Sequence, residues 1–314
     1  MAGGTNYPFT IDPDRTSITI AFRNDAFIAD QVLPYKPVGK QLFWWYKYGV
    51  NDYYNIVETE VGRTETVNEV EFTASRVESA TIDQALDNPI PVSDIDNAPM
   101  GYDIQGRGAE NTMNMVLLRR EQRTASLVTT LNNYDSDKRI TLSGTSQFSD
   151  YTNSLPVGVI STGLDAPLKR PNTAVMSRPV WTTLSQHPKI VNAITGQAGV
   201  VNGRVSKQAF MDLFELNSMY VGEARYNSAA MGQTGTVARL WGKHIALLYQ
   251  DPLADLVSGG VTFGLTARFG DRFALSYFDY KRGAKGTEVQ RVGESVLELI
   301  VGASSSYFIQ NAIA

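Results

Sequence analysis

The strongest pattern of apolar and polar positions in the chain is helical and covers residues 108–133. Apolar side chains recur there three and four positions apart, which places them on one face of an α-helix. No Pro or Gly follows Gly108 within this stretch, so the sequence predicts one long amphipathic helix from Gly108 to Asn133. Its apolar positions are Met113, Leu117, Leu127, Val128 and Leu131, and its polar positions include Arg119, Arg120, Glu121 and Arg123.

A second pattern, with a period of two, runs from Val57 to Arg76. Valines and Phe72 alternate with polar residues, and Gly62 lies near the middle. Such alternation predicts a two-stranded ribbon. An isolated hairpin is marginal in water, and this one is too polar to hold a core, so we expect it to lie on a neighbour. The glutamates that share one parity on each side of the glycine are Glu58, Glu60, Glu69 and Glu71.

The first forty residues contain four prolines and one short apolar stretch, Ile18–Phe22. Proline fixes φ and favours extended backbone, so the pattern predicts an extended arm instead of a compact element. Two apolar groups, residues 27–30 and residues 32–34, would dock this arm on the rest of the protein.

The remaining elements are shorter. Apolar spacing predicts a helix around Trp181–Ile194 that is interrupted at Pro188, and a further helix with Ser206 as its N-cap. Predicted strands lie at residues 140–142, 219–222, 245–249, 261–267, 288–292 and 296–303.

An unusual aromatic cluster precedes the ribbon. Stacked aromatics can bind bases or sugars, but base-stacking grooves interleave several cations and only Lys47 interrupts this run. Aromatic side chains are also the usual anchors of protein interfaces, so we interpret the cluster as core or interface. Its members are Phe43, Trp44, Trp45, Tyr46, Tyr48, Tyr53 and Tyr54.

Composition narrows the function. Apolar residues make up 43% and charged residues 19%, and the formal net charge is −4, which is globular and lacks the basic excess of tight phosphate binders. The chain has no cysteine, so it has no disulfides or thiolate sites. No run is long and apolar enough for a membrane span, and the first residues do not form a secretion signal.

The search for chemistry yields no candidate catalytic, cofactor-binding or metal-binding residue. His187 and His244 are the two histidines, and we expect both to be structural: the first interacting with terminal carbonyls at a helix end, the second hydrogen-bonded at the start of a strand. Glycine pairs at Gly106/Gly108 and Gly242-Lys243 lack the rest of a nucleotide fingerprint. The carboxylate pairs Asp94/Asp96 and Asp135/Asp137 are interpreted as solvated turn residues.

A series of short motifs spans almost the whole chain. In chain order they are Phe27–Asp30, Val32–Pro34, Arg120-Glu121, Ala125–Val128, Leu142–Gly144, Phe148–Asp150, Pro171–Thr173, Val180-Trp181, His187-Pro188, Leu213-Phe214, Val221-Gly222, Tyr226-Asn227 and Leu240–Gly242. The ordered series resembles the major capsid proteins of tailed double-stranded DNA phages, although Gln147-Phe148 departs from the tryptophan that relatives often carry there.

The resemblance implies an α+β fold with an N-terminal arm, an E-loop, a P-domain with a long spine helix, and an A-domain. The implied division is residues 1–40 for the arm, 41–85 for the E-loop region, 86–155 for the P-domain with the spine helix, 156–274 for the A-domain and 275–314 for return strands of the P-domain. The expected interface residues are Phe43, Trp44, Trp45, Tyr46, Glu58, Glu60, Arg63, Glu69 and Glu71.

The implied function is that of a non-enzymatic head subunit that self-assembles, as hexamers and pentamers, into an icosahedral virion shell around packaged DNA. Expected partners are further copies, a portal, a scaffold and possible decoration proteins, with weak non-specific DNA contact and no membrane. Assembly would take place in the host bacterial cytoplasm. Two alternatives remain open at this point: an encapsulin-like nanocompartment shell, which shares the fold, and a carboxylate-dependent hydrolase.

Overall fold

The computed structural model describes residues 13–22, 24–48, 56–70, 74–196, 203–229, 233–256 and 260–314. Helices and strands are mixed along the whole of that part of the chain. The strands are β1 (Tyr35–Val38), β2 (Leu42–Tyr48), β3 (Ala74–Ala80), β4 (Ile82–Pro91), β5 (Arg139–Thr141), β6 (Thr173–Ser177), β7 (Ser218–Gly222), β8 (Arg225–Asn227), β9 (Val237–Arg239), β10 (Ile245–Leu248), β11 (Gly264–Asp279), β12 (Thr287–Ile300) and β13 (Ser306–Gln310).

The helices are interspersed between these strands, and one of them is much longer than the others. Short 3-10 turns lie at Leu131–Asn133, Gly144–Ser146 and Ala303–Ser305. No helix in the described ranges is long and apolar enough to cross a bilayer. The helices are α1 (Pro13–Ala21), α2 (Ala29–Val32), α3 (Val92–Asp96), α4 (Ile104–Thr129), α5 (Pro156–Asp165), α6 (Arg178–Ser185), α7 (Pro188–Thr195) and α8 (Lys207–Phe214).

A four-stranded sheet in the order β1-β11-β12-β4 carries the long helix. The two strands predicted at residues 288–292 and 296–303 are one continuous strand, β12, so that prediction is wrong. Gly293 interrupts the apolar pattern because a Cβ there would lie 2.6 Å from the Gln84 carbonyl oxygen. Glu294 is fully buried and accepts a hydrogen bond from Arg272 Nε at 3.2 Å. The interruption therefore marks close packing, not a turn.

The predicted long helix is present as α4, shifted by four residues towards the N-terminus. Asp103 sets its start, because the Asp103 side chain accepts a hydrogen bond from the Gly106 amide at 2.8 Å. Met113 and Leu117 pack with Ala274 and Val292 of the sheet. Of the other predicted stripe residues, Val128 is buried, whereas Leu127 and Leu131 are half-buried.

The N-terminal part is less extended than predicted. Residues 13–21 form α1, in which Pro13 occupies the first position, where a missing amide proton costs no hydrogen bond. The helix lies on the sheet, since the Thr16 hydroxyl donates to the Ala274 carbonyl at 3.0 Å. Docking of the arm through the two predicted apolar groups is confirmed. The buried residues of those groups are Ile28, Ala29, Val32 and Leu33.

A five-stranded sheet in the order β5-β13-β10-β6-β7 forms the second body of the fold. Helices α5 to α8 contribute to its core, which includes Trp181, Phe210 and Phe214. The predicted helix interruption at Pro188 is confirmed, and so is the Ser206 cap, whose hydroxyl accepts from the Ala209 amide at 3.1 Å. In the sequence, β5 precedes the other strands of this sheet and β13 follows them.

Candidate assembly surface

The aromatic run lies on β2, which pairs with β3 as an antiparallel ribbon from Leu42↔Ala80 to Tyr48↔Ala74. Side chains of a strand alternate between its two faces. Phe43 and Trp45 face the body of the protein, where Trp45 is 6% exposed and packs with Leu265 and Ala267 of β11. The Trp45 indole also donates a hydrogen bond to the Ser79 hydroxyl at 3.1 Å. This inner face fixes the ribbon to the four-stranded sheet.

The outer face of β2 is exposed and largely apolar. Leu42, Trp44 and Tyr46 are 55%, 53% and 46% exposed. The Arg76 guanidinium lies 3.6 Å from the Trp44 ring centroid, a cation–π contact across the ribbon. An exposed row of large apolar side chains on one strand is typical of a surface that another chain covers.

The acidic segment, residues 56–70, connects to this ribbon, and every residue in it is exposed. The prediction of strands between Val57 and Arg76 is wrong for these residues, because the ladder forms at β2 and β3, where the inner face is held by the body. Glu65 makes a tight turn instead: its amide donates to the Gly62 carbonyl at 3.1 Å, and its carboxylate accepts from the Gly62 amide at 3.0 Å.

The charged residues predicted in the acidic segment are all exposed where the structure describes them. Among the described residues, no ion pair links the glutamates of this segment to the body of the same chain; the Glu58 carboxylate instead accepts from the Glu60 amide at 3.3 Å. The predicted residues at these exposed positions are Glu58, Glu60, Arg63 and Glu69. Glu71, Tyr53 and Tyr54 lie outside the described residues.

A buried charge cluster, which we call the junction, holds the two bodies and the arm together. Glu121 of α4 is fully buried, and its carboxylate accepts hydrogen bonds from the Ala29 amide at 2.7 Å and from the Trp241 indole at 2.6 Å. The Ile28 amide donates to both carboxylate oxygens at 3.1 Å. Burial raises the pKa of Glu121, and these hydrogen bonds oppose the rise.

Arg120, the next residue on α4, belongs to the same junction. Its guanidinium pairs with Asp30 of the arm and stacks 3.7 Å from the Tyr35 ring centroid. It also donates to the Thr266 hydroxyl at 3.3 Å. Sequence reasoning assigned Arg120 and Glu121 to the polar face of the helix. The usable signal was their spacing, because positions 113, 117, 120–121, 124 and 128 form one continuous buried stripe.

The two histidines have structural partners. The His187 Nδ1 accepts from the Lys189 amide at 3.2 Å, so His187 caps the start of α7; the predicted role at the end of the preceding helix is wrong. Its Nε2 lies 2.9 Å from the Ser154 hydroxyl. Burial, followed by the charge of Lys189, lowers the pKa of His187 to about 4. The expected structural role of His244 is confirmed, since its Nδ1 accepts from the Asn311 amide at 3.0 Å.

The carboxylates considered for chemistry are not assembled into a site. Asp94 and Asp96 lie on the short exposed helix α3, and Asp96 is 3.7 Å from Lys285. Asp137 pairs with the adjacent Lys138 at 2.7 Å. In the described ranges, no three His, Cys, Asp or Glu side chains are grouped so that they could hold a metal ion.

Comparisons with known proteins agree with this geometry. A major capsid protein of Pseudomonas phage JBD67 is 46% identical over 310 residues, which is 99% of each chain. A solved phage-related protein from Bordetella bronchiseptica RB50 is 19% identical with a TM-score of 0.74, covering 98% of this chain and 99% of that one. The capsid of Cyanophage P-SCSP1u is 11% identical with a TM-score of 0.58, covering 99% and 91%. No family model matches the sequence.

The two solved structures share the fold, and the 46% identical relative decides the family. That relative is a capsid subunit, not a nanocompartment shell or a hydrolase, so both alternatives are set aside. The exposed outer face of β2 and the exposed acidic segment are surfaces that such a subunit presents to other chains. The chain belongs to the family of phage major capsid proteins, structural and non-enzymatic subunits of the virion shell.

Proposed function

We propose that this subunit closes its shell by laying the β2–β3 ribbon and the acidic segment across a neighbouring copy, within hexamers and pentamers. The observation that carries the proposal is the contrast between the two faces of β2. Phe43 and Trp45 pack on the body of the same chain. Leu42, Trp44, Tyr46 and the acidic segment are exposed. One chain must make several different contacts to build a closed shell, and these exposed side chains are placed to contact a neighbour.

The energetics favour reversible individual contacts. If the ribbon and the acidic segment together bury about 1,000 Å² of apolar surface on a neighbour, the gross gain is roughly 25 kcal/mol. Immobilising side chains and extended backbone offsets much of that gain. A single contact is then weak, and the shell becomes stable when all neighbours are engaged, which allows wrongly placed subunits to leave during assembly.

The finer division of the chain is part of the proposal. The arm, the E-loop region at residues 41–85 and the P-domain at 86–155 follow the implied boundaries, and the A-domain is centred on the five-stranded sheet. Sheet membership suggests two adjustments: β11 begins at Gly264, ahead of the boundary at 274/275, and β13 pairs with β10 of the A-domain sheet.

Partners other than further copies are proposed from the family. A portal, a scaffold and decoration proteins would bind the shell, and packaged double-stranded DNA would touch it weakly, which the formal charge of −4 supports. Assembly would occur in the bacterial cytoplasm before the particle leaves the host.

The test replaces residues 57–70, which precede β3, with a Gly-Ser linker. Because the acidic segment makes no ion pair with the body in the described residues, the variant subunit should unfold at the same urea concentration as the parent. It should fail to form closed particles by negative-stain microscopy and light scattering. In the parent protein, hydrogen exchange in residues 56–70 should be fast before assembly and strongly slowed in particles.

Normal particles of normal stability from the linker variant would contradict the proposal. A variant with the same linker inserted between Met100 and Gly101, which are exposed turn residues, serves as the control for a general effect of flexible insertions. It should retain its fold and form particles, which separates loss of the acidic segment from a non-specific penalty.

A further inference from the structure

A small hairpin beside the five-stranded sheet carries two arginines in direct opposition. Arg225 of β8 pairs with Arg239 of β9 in the antiparallel register. Residues directly opposite project from the same face with Cβ atoms roughly 5 Å apart, and like charges at this spacing repel each other. Arg225 is exposed and Arg239 is half-buried. The hairpin would be more stable with an anionic group bound to this face.

The described part of the chain does not supply that anion. Neither arginine makes an ion pair or a hydrogen bond with another described residue, and the adjacent Glu223 is paired with Arg178 at 3.2 Å. Residues 224–250 contain no Asp or Glu, although they include both arginines and Lys243. This face of the hairpin is therefore positively charged, and no described carboxylate of the same chain pairs with it.

The acidic segment has the complementary features. Residues 56–70 contain four glutamates and one arginine. In an extended chain Glu58 and Glu60 point to the same side, about 6.6 Å apart, a spacing that two neighbouring guanidinium groups can match. Ile56, on the same parity, is fully exposed, and Val237, on the same face of β9 as Arg239, is 64% exposed. The acidic segment and the hairpin therefore match in charge and in apolar surface.

We infer that Glu58 and Glu60 of one copy dock on the Arg225–Arg239 pair of a second copy, with Ile56 against Val237. This inference rests on the proposed function, in which the segment binds a neighbour, and it names the surface that the neighbour offers. The two surfaces belong to different elements, so the contact is head-to-tail, the kind of interface that closes rings.

A second cationic surface lies at the turn between β11 and β12, and it is less suitable. There Arg282 pairs with Asp279 at 3.1 Å, and Lys285 lies 3.7 Å from Asp96. These cations already have carboxylates of the same chain beside them, whereas the arginine pair has none among the described residues. The turn is therefore the alternative against which the inference is tested.

The absence of cysteine allows a direct test. A Glu60→Cys chain and a size-tagged Arg239→Cys chain are co-assembled and oxidised, and linked products are resolved by non-reducing electrophoresis. We expect a disulfide-linked pair of one tagged and one untagged chain in particles, and little of it in unassembled subunits. The matched comparison pairs Glu60→Cys with a tagged Lys281→Cys chain, which should not link.

Charge reversal gives an independent readout. Arg225→Glu with Arg239→Glu should leave the urea midpoint unchanged and lower particle yield at low salt about tenfold. Co-assembly with chains carrying Glu58→Arg and Glu60→Arg should restore yield. The inference is overturned if Glu60→Cys links to Lys281→Cys instead, or if the charge-reversed hairpin gives a normal particle yield. The proposal for the ribbon and the acidic segment stands in either case. Normal particles from the Gly-Ser linker variant would overturn both.

Discussion

The junction and the acidic segment use the same residue types for opposite purposes. At the junction, Glu121 is fully buried and accepts hydrogen bonds from the arm and from Trp241, and Arg120 pairs with Asp30. In the acidic segment, Glu58 and Glu60 are exposed and make no ion pair with the body in the described ranges. The difference shows that the number of charges says little about their role. What matters is whether the same chain supplies the partner groups.

This contrast separates folding from assembly. A buried charge that loses its partners, or buried donors that lose their acceptor, destabilise the subunit itself. An exposed charge without a partner costs the subunit almost nothing when it is removed. Substitutions at the junction should therefore change the free energy of unfolding, and substitutions in the ribbon and segment should change particle formation.

The largest effect is expected for Glu121→Ala. The change leaves the Ile28 and Ala29 amides and the Trp241 indole without their acceptor in a buried site, so the free energy of unfolding should fall by about 3–5 kcal/mol. Urea unfolding of the unassembled subunit measures it. Glu110→Ala is the control on an exposed position of the same helix and should change stability by less than about 0.5 kcal/mol. Equal effects at both positions would show that the junction is not what holds the arm.

A smaller effect is expected when two neighbouring tryptophans of β2 are compared. Trp45→Ala removes a buried ring and should destabilise the ribbon by about 3 kcal/mol, seen as faster hydrogen exchange in β2 and β3. Trp44→Ala removes an exposed ring and should leave ribbon exchange nearly unchanged while lowering particle yield. If Trp44→Ala loosened the ribbon as much as Trp45→Ala does, the two faces would not divide folding from assembly.

The sequence predicted local elements well where one pattern dominated. The long helix, the Pro188 interruption and the Ser206 cap follow from periodicity and capping chemistry, which act over a few residues. The strand predictions failed at residues 57–70 because alternation alone does not create a strand. The pairing partner of β2 is set by where Trp45 anchors the chain. They also failed at Gly293, since a glycine forced by close packing resembles a turn.

The candidate surface divides in the same way. The aromatic run and the acidic residues were recognisable from composition, and which aromatic faces outward became clear only from the β2–β3 register. The Arg225–Arg239 opposition joins residues separated by a loop, so its spacing was invisible in the sequence. The junction was missed because charged residues on a helix are ordinarily solvated, and only their alignment with Met113, Leu117 and Val128 indicated burial.

The smallest predicted effect extends the comparison to a buried group that must stay uncharged. The His187 Nδ1 accepts from the Lys189 amide, so Nε2 carries the proton and donates to Ser154; a second proton would face that amide and the Lys189 charge, while Asp150 offsets this slightly. With a pKa of about 4 when folded and 6.5 when unfolded, the unfolded chain binds more protons between these values. Stability from this group is complete above pH 6.5 and is lost as pH falls towards 4.

His187→Asn keeps an N-cap acceptor and removes the titration. Glu121 contributes a pH dependence of the opposite sign, because burial raises its pKa and the stability from this group therefore falls as pH rises. The informative quantity is therefore the difference in unfolding free energy between parent and variant at each pH. That difference should be constant above pH 6.5 and move in favour of the variant as pH falls from 6.5 towards 4. A difference that is flat across the whole range would mean that His187 is readily protonated in the folded subunit, and that burial at this position does not exclude charge.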